Sequence, residues 1–275
     1  MKIGRIKARI KEEYSRRGIP GVSAAVMTAL HARTLGKIDL LLFYDLKWSV
    51  IKRWMLRPFF HRTARRLGLT EAEHQIGRLM NMRSALAEMR DSGLKGDIVE
   101  FGSYQGFSLW WLSRFRDELG IKARVIGIDS FEGLPENSTI WRRGLFSDTS
   151  RQTCEKAILK ACGSDSLKEL DIHIVQGLFD DPRVEKELRA LAPRIALAHI
   201  DCDLGSSCSR ALRLLRPDIP GGLYLLFDDW YWHPEEIPAS FSSFLDGLQE
   251  KPAVTELSST RYTLYVRLGG KEADG

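Results

Sequence analysis

Five short apolar segments alternate with helical patterns between residues 97 and 227, and this alternation constrains the fold more than any other feature. The apolar segments cover 97–101, 124–128, 171–175, 195–200 and 223–227. Helical periodicity occupies 107–118, 151–161, 183–191 and 207–215. Strands that are separated by helices pair in parallel, because the helical crossover returns the chain to the same end of the sheet. The sequence therefore predicts a doubly wound α/β fold with helices on both faces of the sheet.

The C-terminal part of the chain departs from this alternation. A helix is predicted at 238–248, followed by strands at 253–257 and 262–267. The link between these two strands, Ser258-Ser259-Thr260, is too short for a crossover, so the strands must run antiparallel. The prediction is a seven-stranded, mostly parallel sheet with an antiparallel last strand. Residues 270–275 are predicted to be a disordered tail.

The N-terminal 70 residues form a second region with a distinct charge. They contain 16 Lys and Arg against 4 Asp and Glu, a net charge of +12, whereas the whole chain carries +5. Apolar stripes at helical spacing predict a basic helical N-terminal extension over 1–70 that serves as a lid or a dimerisation surface. Alternatively, this extension contacts an acidic partner such as nucleic acid, a membrane surface or a carrier protein. A helix over 70–91 leads into the main domain, predicted at 71–269.

Hydropathy and cysteine usage indicate the compartment. No apolar run approaches the roughly 18 residues that span a bilayer, and the N-terminus lacks the apolar segment of a secretory signal. The four cysteines lack the spacing of metal or redox motifs, and we expect four free thiols. The sequence predicts a cytoplasmic protein without a transmembrane segment.

The first strand ends in residues that favour a cationic ligand. In a doubly wound sheet, ligands bind beyond the carboxyl ends of the strands. Here Glu100 would oppose a phosphate, and the glycines do not follow the dinucleotide-binding spacing. Gly102 permits a sharp turn, and Gly106 lets the backbone approach a ligand. With Ser103, these residues are assigned to a cofactor without phosphate, for which S-adenosylmethionine is suited.

The ends of the next two strands favour the nucleoside part of such a cofactor. Asp129 lies where an acid can accept both hydroxyls of a ribose. Ser130 follows it, and Phe131 is placed to stack on adenine. Gln176 and Gly177 end the third strand and are expected alongside the nucleoside. Together, the strand ends predict an adenosyl ligand.

At this point the motifs resemble those of a known family. They read GDIVEFG (96–102), DSFEGLP (129–135), GLF (177–179), DCD (201–203) and GGLYLLFDD (221–229). This order resembles class I S-adenosylmethionine-dependent methyltransferases, and more narrowly the macrocin O-methyltransferase family, over about residues 75–250. The resemblance implies a Rossmann-like fold and methyl transfer to a hydroxyl of a sugar or small natural product. We also expect a homo-oligomer, a dimer or larger.

The resemblance further implies a magnesium site. Asp201, Asp228 and Asp229 correspond to the three carboxylates that bind Mg²⁺ in the family, and hard carboxylate oxygens are the ligands that this ion prefers. Asp201 or Asp203 would then take the proton from the acceptor hydroxyl. His233 is the histidine expected to contact the substrate or to assist proton transfer.

One departure leaves the acceptor open. The family's Leu-Tyr-Glu-Ser-Thr run after the D-x-D motif is Leu-Gly-Ser-Ser-Cys over 204–208. The change fits a different acceptor, or a protein that binds S-adenosylmethionine without methyl transfer, either to catalyse another reaction or only to bind. We expect His199 to pack in the core and the segment 78–82 to reach over the cofactor. Candidate acceptor contacts are Trp141, Arg142, Arg143, Trp230, Tyr231 and Trp232.

Overall fold

The structure, a computed structural model, describes residues 58–67, 70–231, 235–260 and 262–269 of the 275-residue chain. Its helices are α1 (Pro58–Leu67), α2 (Thr70–Asp91), α3 (Phe107–Glu118), α4 (Arg151–Cys162), α5 (Pro182–Leu191), α6 (Gly205–Leu215) and α7 (Ile237–Asp246), with a 3₁₀ helix at Arg216–Gly221. Its strands are β1 (Asp97–Phe101), β2 (Val125–Asp129), β3 (Ile172–Gln176), β4 (Ile195–Ile200), β5 (Leu223–Phe227), β6 (Val254–Ser259) and β7 (Leu264–Leu268).

The seven strands form one sheet in the order β3-β2-β1-β4-β5-β7-β6. The pairs β1–β2, β2–β3, β1–β4 and β4–β5 are parallel, whereas β7 runs antiparallel to both of its neighbours. The strand order reverses between β1 and β4, which is where a doubly wound sheet opens its ligand crevice. The predicted mostly parallel sheet with an antiparallel last strand is confirmed.

The central strands are apolar along their whole length because helices cover both of their faces. All six residues of β4 and all five of β5 are buried. Such strands read in the sequence as continuous apolar runs, so the sequence predicts their positions correctly. Element ends differ from the prediction by at most two residues. For example, β7 begins at Leu264 rather than at 262, because Thr260 and Thr263 close a turn through their hydroxyl groups.

The chain divides into two compact units, with the boundary inside α2 between Ile76 and Gly77. In the first of these units, Arg65 Nε lies 2.7 Å from Glu73 Oε1. The residues before 58, to which most of the predicted basic extension belongs, lie outside the described ranges, as does the predicted tail over 270–275. Within the part of the chain that the structure describes, no helix combines the length and apolar character needed to cross a membrane.

Candidate active site

Three strand ends meet at the carboxyl edge of the sheet. The backbone N–H of Asp201, after β4, donates to the carbonyl of Phe101 at 2.9 Å, and that of Asp228, after β5, donates to Ile200 at 3.0 Å. Gly102 follows β1 with a φ of 91°, and a Cβ there would lie 1.8 Å from the carbonyl oxygen of Asp201. A residue with a side chain at position 102 would therefore force these strand ends apart.

Three carboxylates converge at this edge, and we call Asp201, Asp228 and Asp229 the carboxylate cluster. One oxygen atom from each lies within 4.8 Å of the others. Asp228 is only 3% exposed, and the Oδ2 atom of Asp229 is buried without a hydrogen-bond partner. Three anions at this separation repel one another unless a cation lies among them. The three aspartates that the resemblance assigns to a metal site thus lie close together in the structure.

Three carboxyl groups at this edge of the sheet, those of Asp201, Asp203 and Asp229, have raised pKa values. Burial, followed by repulsion from Asp228, raises the pKa of Asp201 well above its ordinary value. Burial and repulsion from Asp203 and Asp228 do the same to the pKa of Asp229. Asp203, two residues after Asp201, has its pKa raised to about 8 by burial and by the charges of Asp201 and Asp228.

One cation from helix α2 reaches the cluster. Nη1 of Arg78 lies 2.9 Å from Asp201 Oδ2 and 2.9 Å from Asp228 Oδ2. The Arg78 side chain is 9% exposed, and its guanidinium carbon lies 5.8 Å from the centre of the Phe107 ring. The positive charge lowers the pKa of Asp201, but less than burial and the other carboxylates raise it. The segment 78–82 is expected from the sequence to reach over the cofactor, and its arginine, Arg78, contacts the carboxylates.

A cavity of about 230 Å³ opens beside the cluster. Six of the predicted site residues line it: Gly102, Asp129, Ser130, Gly177, Asp201 and Asp203. Lining residues that the sequence did not single out include Tyr104, Phe146, Asp180 and Arg210, whereas Leu134, Phe179 and Ser207 belong to the motifs or to the 204–208 run. The cavity therefore joins the predicted nucleoside end to the predicted catalytic aspartates.

Asp129 is fixed in this cavity by the backbone on both sides. Its Oδ2 accepts the N–H of Tyr104 at 2.7 Å, and its Oδ1 accepts the N–H of Phe131 at 2.7 Å. Tyr104 and Phe131 adopt positive φ angles of 44° and 58°, which direct their N–H groups toward the carboxylate. Burial raises the pKa of Asp129, while these two hydrogen bonds oppose that effect. The carboxylate is held in one orientation and keeps lone pairs for a ligand.

Several predicted cofactor residues do not line the cavity. Glu100 is fully buried, and its Oε1 lies 3.0 Å from Nδ1 of His199, its neighbour across the β1–β4 pair. The expected core position of His199 agrees with the structure, whereas Glu100 faces that histidine and not the cavity. Phe131 is buried, and Gln176 is exposed with its amide donating to the Ser130 carbonyl at 3.3 Å.

Two further predicted cofactor residues, Ser103 and Gly106, follow β1, and the structure gives both of them a role in packing. A Cβ at Gly106 would lie 2.8 Å from Cys154 Sγ and 2.8 Å from Ile158 Cδ1, so this glycine allows α3 and α4 to pack closely. Ser103 is buried, and its hydroxyl lies beneath Gly127, where an added Cβ would meet it at 2.4 Å. Both residues shape the packing behind the cavity wall and do not line it.

A second, polar cleft of about 370 Å³ lies next to the departure at 204–208. A Cβ at Gly205 would lie 3.0 Å from the Glu236 carbonyl, and the Ser240 hydroxyl donates to the Gly205 carbonyl at 2.8 Å. Glycine at this position therefore lets α7 approach α6. The polar lining residues are Glu136, Asn137, Ser138, Thr139, Ser206, Glu235, Glu236 and Ser240.

The aromatic residues predicted for the acceptor pocket separate into different environments. Trp230 packs against Phe227 and Phe241, with ring centres 5.0 and 5.7 Å away, and belongs to the core. Tyr231 is 45% exposed, and the Trp141 ring lies 5.9 Å from Phe146, a cavity residue. Trp232 and His233 lie outside the described residues.

The cavity residues that sequence reasoning missed carry a weak signal. Tyr104 lies inside the FGSYQG turn after β1, where the glycines give the stronger indication of a ligand. Arg210 lies on α6, and its Nε is 2.9 Å from Asp180 Oδ2 across the cavity mouth. A single arginine on a helix gives no indication in the sequence that it lines a cavity.

The fold is that of class I methyltransferases. The solved structure of the O-methyltransferase NovP aligns with a TM-score of 0.59 at 19% identity and covers 71% of this chain and 81% of that one. The calicheamicin methyltransferase CalS11 aligns with a TM-score of 0.60 at 20% identity and covers 87% of this chain and 91% of that one. At this identity, the likeness establishes the Rossmann-like fold.

The family follows from the sequence match. The model of the macrocin-O-methyltransferase (TylF) family matches residues 65–247, more than half of the chain, and the chain belongs to this family. A Streptomyces olivaceus protein, 8-demethyl-8-(2,3-dimethoxy-alpha-L-rhamnosyl)-tetracenomycin-C 4'-O-methyltransferase, is 28% identical over 166 residues. That match spans 56% of this chain and 60% of the relative's length.

Proposed function

We propose that the protein is an S-adenosylmethionine-dependent O-methyltransferase that acts on a hydroxyl of a small natural product or sugar, with a Mg²⁺ ion at the carboxylate cluster. The observation that carries the proposal is the cavity at the strand-order reversal, which joins Gly102, Asp129 and Gly177 to Asp201 and Asp203. Membership of the macrocin-O-methyltransferase family supports the same reaction.

The cofactor side of the cavity fits an adenosyl compound. Asp129, held by two backbone N–H groups, offers oxygens to the ribose hydroxyls, and Gly102 and Gly177 bring backbone close to the ligand. S-adenosylmethionine, when bound, supplies a methyl group on a positively charged sulfur. The acidic edge of the sheet attracts that charge more than it would attract a phosphate. Glu100 adds to this field from its buried position, since its charge raises the pKa of Asp129 and of Asp201.

The carboxylate cluster fits a hard divalent cation. All of its donor atoms are carboxylate oxygens, and the buried Oδ2 of Asp229 has no hydrogen-bond partner. Mg²⁺ at this site would orient the acceptor hydroxyl and lower its pKa. Asp201, Asp228 and Asp229 would hold the ion.

Asp203 is the better candidate for the general base. Both aspartates line the cavity, but Oδ2 of Asp201 already accepts a hydrogen bond from Arg78. A base is most effective when its pKa lies near the working pH, and the pKa of Asp203 is raised to about 8. Asp203 would accept the hydroxyl proton while the acceptor oxygen bonds the methyl carbon and the carbon–sulfur bond breaks. His233, a residue outside the described ranges, stays a second candidate for this proton.

The acceptor is proposed to be a hydroxylated small molecule. The polar cleft beside Gly205 offers carboxylate, amide and hydroxyl groups that suit hydrogen bonds to a sugar. The relatives named above methylate a rhamnosyl group of tetracenomycin or belong to calicheamicin metabolism, by their names. Residues 1–70 are proposed to form a lid and a dimer contact, or to bind an acidic partner. Size-exclusion chromatography at low and high salt would separate these roles.

Calorimetric titration of the full chain with S-adenosylhomocysteine and S-adenosylmethionine tests the cofactor side. Asp129→Asn should weaken binding at least about tenfold, because one charged hydrogen-bond acceptor is lost. Asp246→Asn is the matched control, since Asp246 pairs with Lys251 at the surface and is 72% exposed. Equal affinity of the wild type and Asp129→Asn for both compounds would contradict the proposed cofactor position.

Methyl transfer from labelled S-adenosylmethionine to hydroxylated product extracts tests the metal side. Asp228→Asn should lower the rate by about 100-fold or more while the affinity for S-adenosylhomocysteine changes little. Addition of EDTA to the wild type should have the same effect.

A second candidate function is binding of the cofactor without methyl transfer, which the Gly205-Ser206-Ser207-Cys208 run favours. It predicts normal S-adenosylmethionine binding, no labelled product from any extract, and no effect of EDTA.

A further inference from the structure

Arg78 joins two members of the carboxylate cluster through a single nitrogen atom. Its Nη1 lies 2.9 Å from Asp201 Oδ2 and 2.9 Å from Asp228 Oδ2, distances typical of charge-assisted hydrogen bonds. The two aspartates are 123 and 150 residues away in the sequence and follow different strands. The guanidinium is therefore a counter-ion placed by the tertiary structure and not by local sequence.

Helix α2 holds Arg78 in this position. One turn further along the helix, Asn81 donates to the Thr263 hydroxyl at 2.8 Å and accepts from the Ser258 hydroxyl at 3.0 Å. Near the end of the helix, Glu88 accepts from the Tyr265 hydroxyl at 3.1 Å. These contacts attach α2 to β6 and β7. Residues outside the cluster therefore fix the position of the helix from which Arg78 extends.

We propose that Arg78 and a divalent cation compete for the same two oxygen atoms, so that Arg78 is a tethered counter-ion that sets the metal affinity of the cluster. This inference rests on the metal site of the proposed function. A Mg²⁺ ion approaches its ligand oxygens to about 2.0–2.1 Å and uses the lone pairs that face it. An ion held by Asp201 Oδ2 and Asp228 Oδ2 would compete with Nη1 for the lone pairs of these oxygens, and the charge of the guanidinium would repel it.

The charges explain why such a counter-ion is useful. Without any cation, the ionised carboxylates of the cluster would repel one another in a buried position, which destabilises the fold. Arg78 supplies one positive charge that is always present, because a guanidinium does not lose its proton. The folded protein thus exists before the ion arrives, and the ion binds more weakly than it would to an unopposed cluster.

The test is Mn²⁺ binding, followed by electron paramagnetic resonance of free Mn²⁺, in the wild type and in Arg78→Met. Competition predicts that Arg78→Met binds Mn²⁺ at least about tenfold more tightly, because both the competitor and its charge are removed. The matched control is Arg83→Met, which removes the same charge from the same helix. Arg83 pairs with Glu118 at 3.0 Å and is 47% exposed, so its loss should change the affinity less than about twofold.

Thermal unfolding provides an independent readout. Arg78→Met should melt at a lower temperature than the wild type in EDTA, and Mn²⁺ should raise its melting temperature by more than it raises that of the wild type. If Arg78→Met does not fold, a crystal structure of the wild type soaked with Mn²⁺ tests the inference instead. Competition predicts that at least one of the two 2.9 Å contacts of Nη1 is broken when the ion is bound.

Three outcomes overturn the inference. Equal or weaker Mn²⁺ binding by a folded Arg78→Met, with normal affinity for S-adenosylhomocysteine, would mean that Arg78 organises the carboxylates for the ion; the proposed function would survive. Persistence of both Nη1 contacts beside a bound ion would mean the same. Lack of Mn²⁺ binding by both proteins, with normal S-adenosylhomocysteine binding, would remove the metal from the proposed function as well.

Discussion

Two buried acidic groups lie at opposite ends of the central strands, and they are neutralised very differently. At the amino ends of β4 and β5, Asp218 is 2% exposed, and its two oxygens accept from Arg189 Nη1 at 2.8 Å, Ile195 N at 2.9 Å and Arg194 Nη1 at 3.4 Å. One carboxylate therefore meets two guanidinium groups. Among the described residues, the carboxylate cluster at the other end places three carboxylates against the one guanidinium of Arg78.

The difference separates an acid whose partners hold the fold together from acids for which we propose a cationic ligand. At Asp218, partners satisfy the carboxylate, so the protein gains a complete network and has nothing left to bind. At the cluster, carboxyl groups outnumber guanidinium groups, and the pKa values of Asp201 and Asp229 are raised well above the ordinary range. Buried groups with displaced pKa values in a cleft are typical of functional sites. Asp218 and Asp228 are almost equally inaccessible, at 2% and 3% exposure, so the balance of charge and not burial distinguishes them.

The largest expected effect on stability belongs to Asp218. Asp218→Ala leaves two arginines and a backbone N–H without their acceptor, and we expect a loss of about 3 kcal/mol in the free energy of unfolding. Asp228→Asn, in EDTA, should leave that free energy unchanged or raise it, because it relieves repulsion within the cluster. Urea denaturation of the two variants measures both effects. A similar loss of unfolding free energy in the two variants would contradict the proposed distinction between Asp218 and the carboxylate cluster.

A smaller effect is expected from the pH dependence of Asp203. Its pKa is raised from 3.8 to about 8, so between these values the folded protein retains a proton that the unfolded chain has lost. The contribution of this group to stability is complete below about pH 4 and is lost as the pH rises toward 8. An asparagine at position 203 cannot ionise, so the Asp203→Asn variant does not lose this stability as the pH rises.

The melting temperature of Asp203→Asn minus that of the wild type, in EDTA, should therefore increase between pH 5 and pH 9. We expect an increase of about 2–4 °C, which corresponds to roughly 1 kcal/mol in a domain of this size. Solvent screening at a half-buried carboxylate keeps the effect below the full pKa shift. Excess Mg²⁺ should reduce the increase, since the ion favours the ionised form. A difference that stays constant or falls with pH would show that Asp203 is not held protonated.

The sequence predicts the sheet well because each central strand is buried on both faces and appears as a continuous apolar run. It also predicts which residues end those strands, and Gly102, Asp129, Gly177, Asp201 and Asp203 are found around one cavity. Parallel strands bring their carboxyl ends to one edge, so position along the chain translates directly into position in the site.

Contacts between distant segments are not written in any local pattern. The pairing of Glu100 with His199 depends on the register between β1 and β4, which are not consecutive in the chain. The contact of Arg78 with Asp228 joins residues 150 positions apart. Gly106 illustrates a related difficulty: a glycine after a strand suggests a ligand, but here it is required by the side chains of Cys154 and Ile158.

The central claim is that the excess of negative charge at the carboxyl edge of the sheet binds a divalent ion beside an adenosyl compound. The most direct test is an anomalous-difference map from crystals grown with MnCl₂ and S-adenosylhomocysteine. We predict one Mn²⁺ peak surrounded by the carboxylates of Asp201, Asp228 and Asp229, with the ribose hydroxyls on Asp129. A map with bound S-adenosylhomocysteine but no Mn²⁺ peak at these three carboxylates would contradict the account.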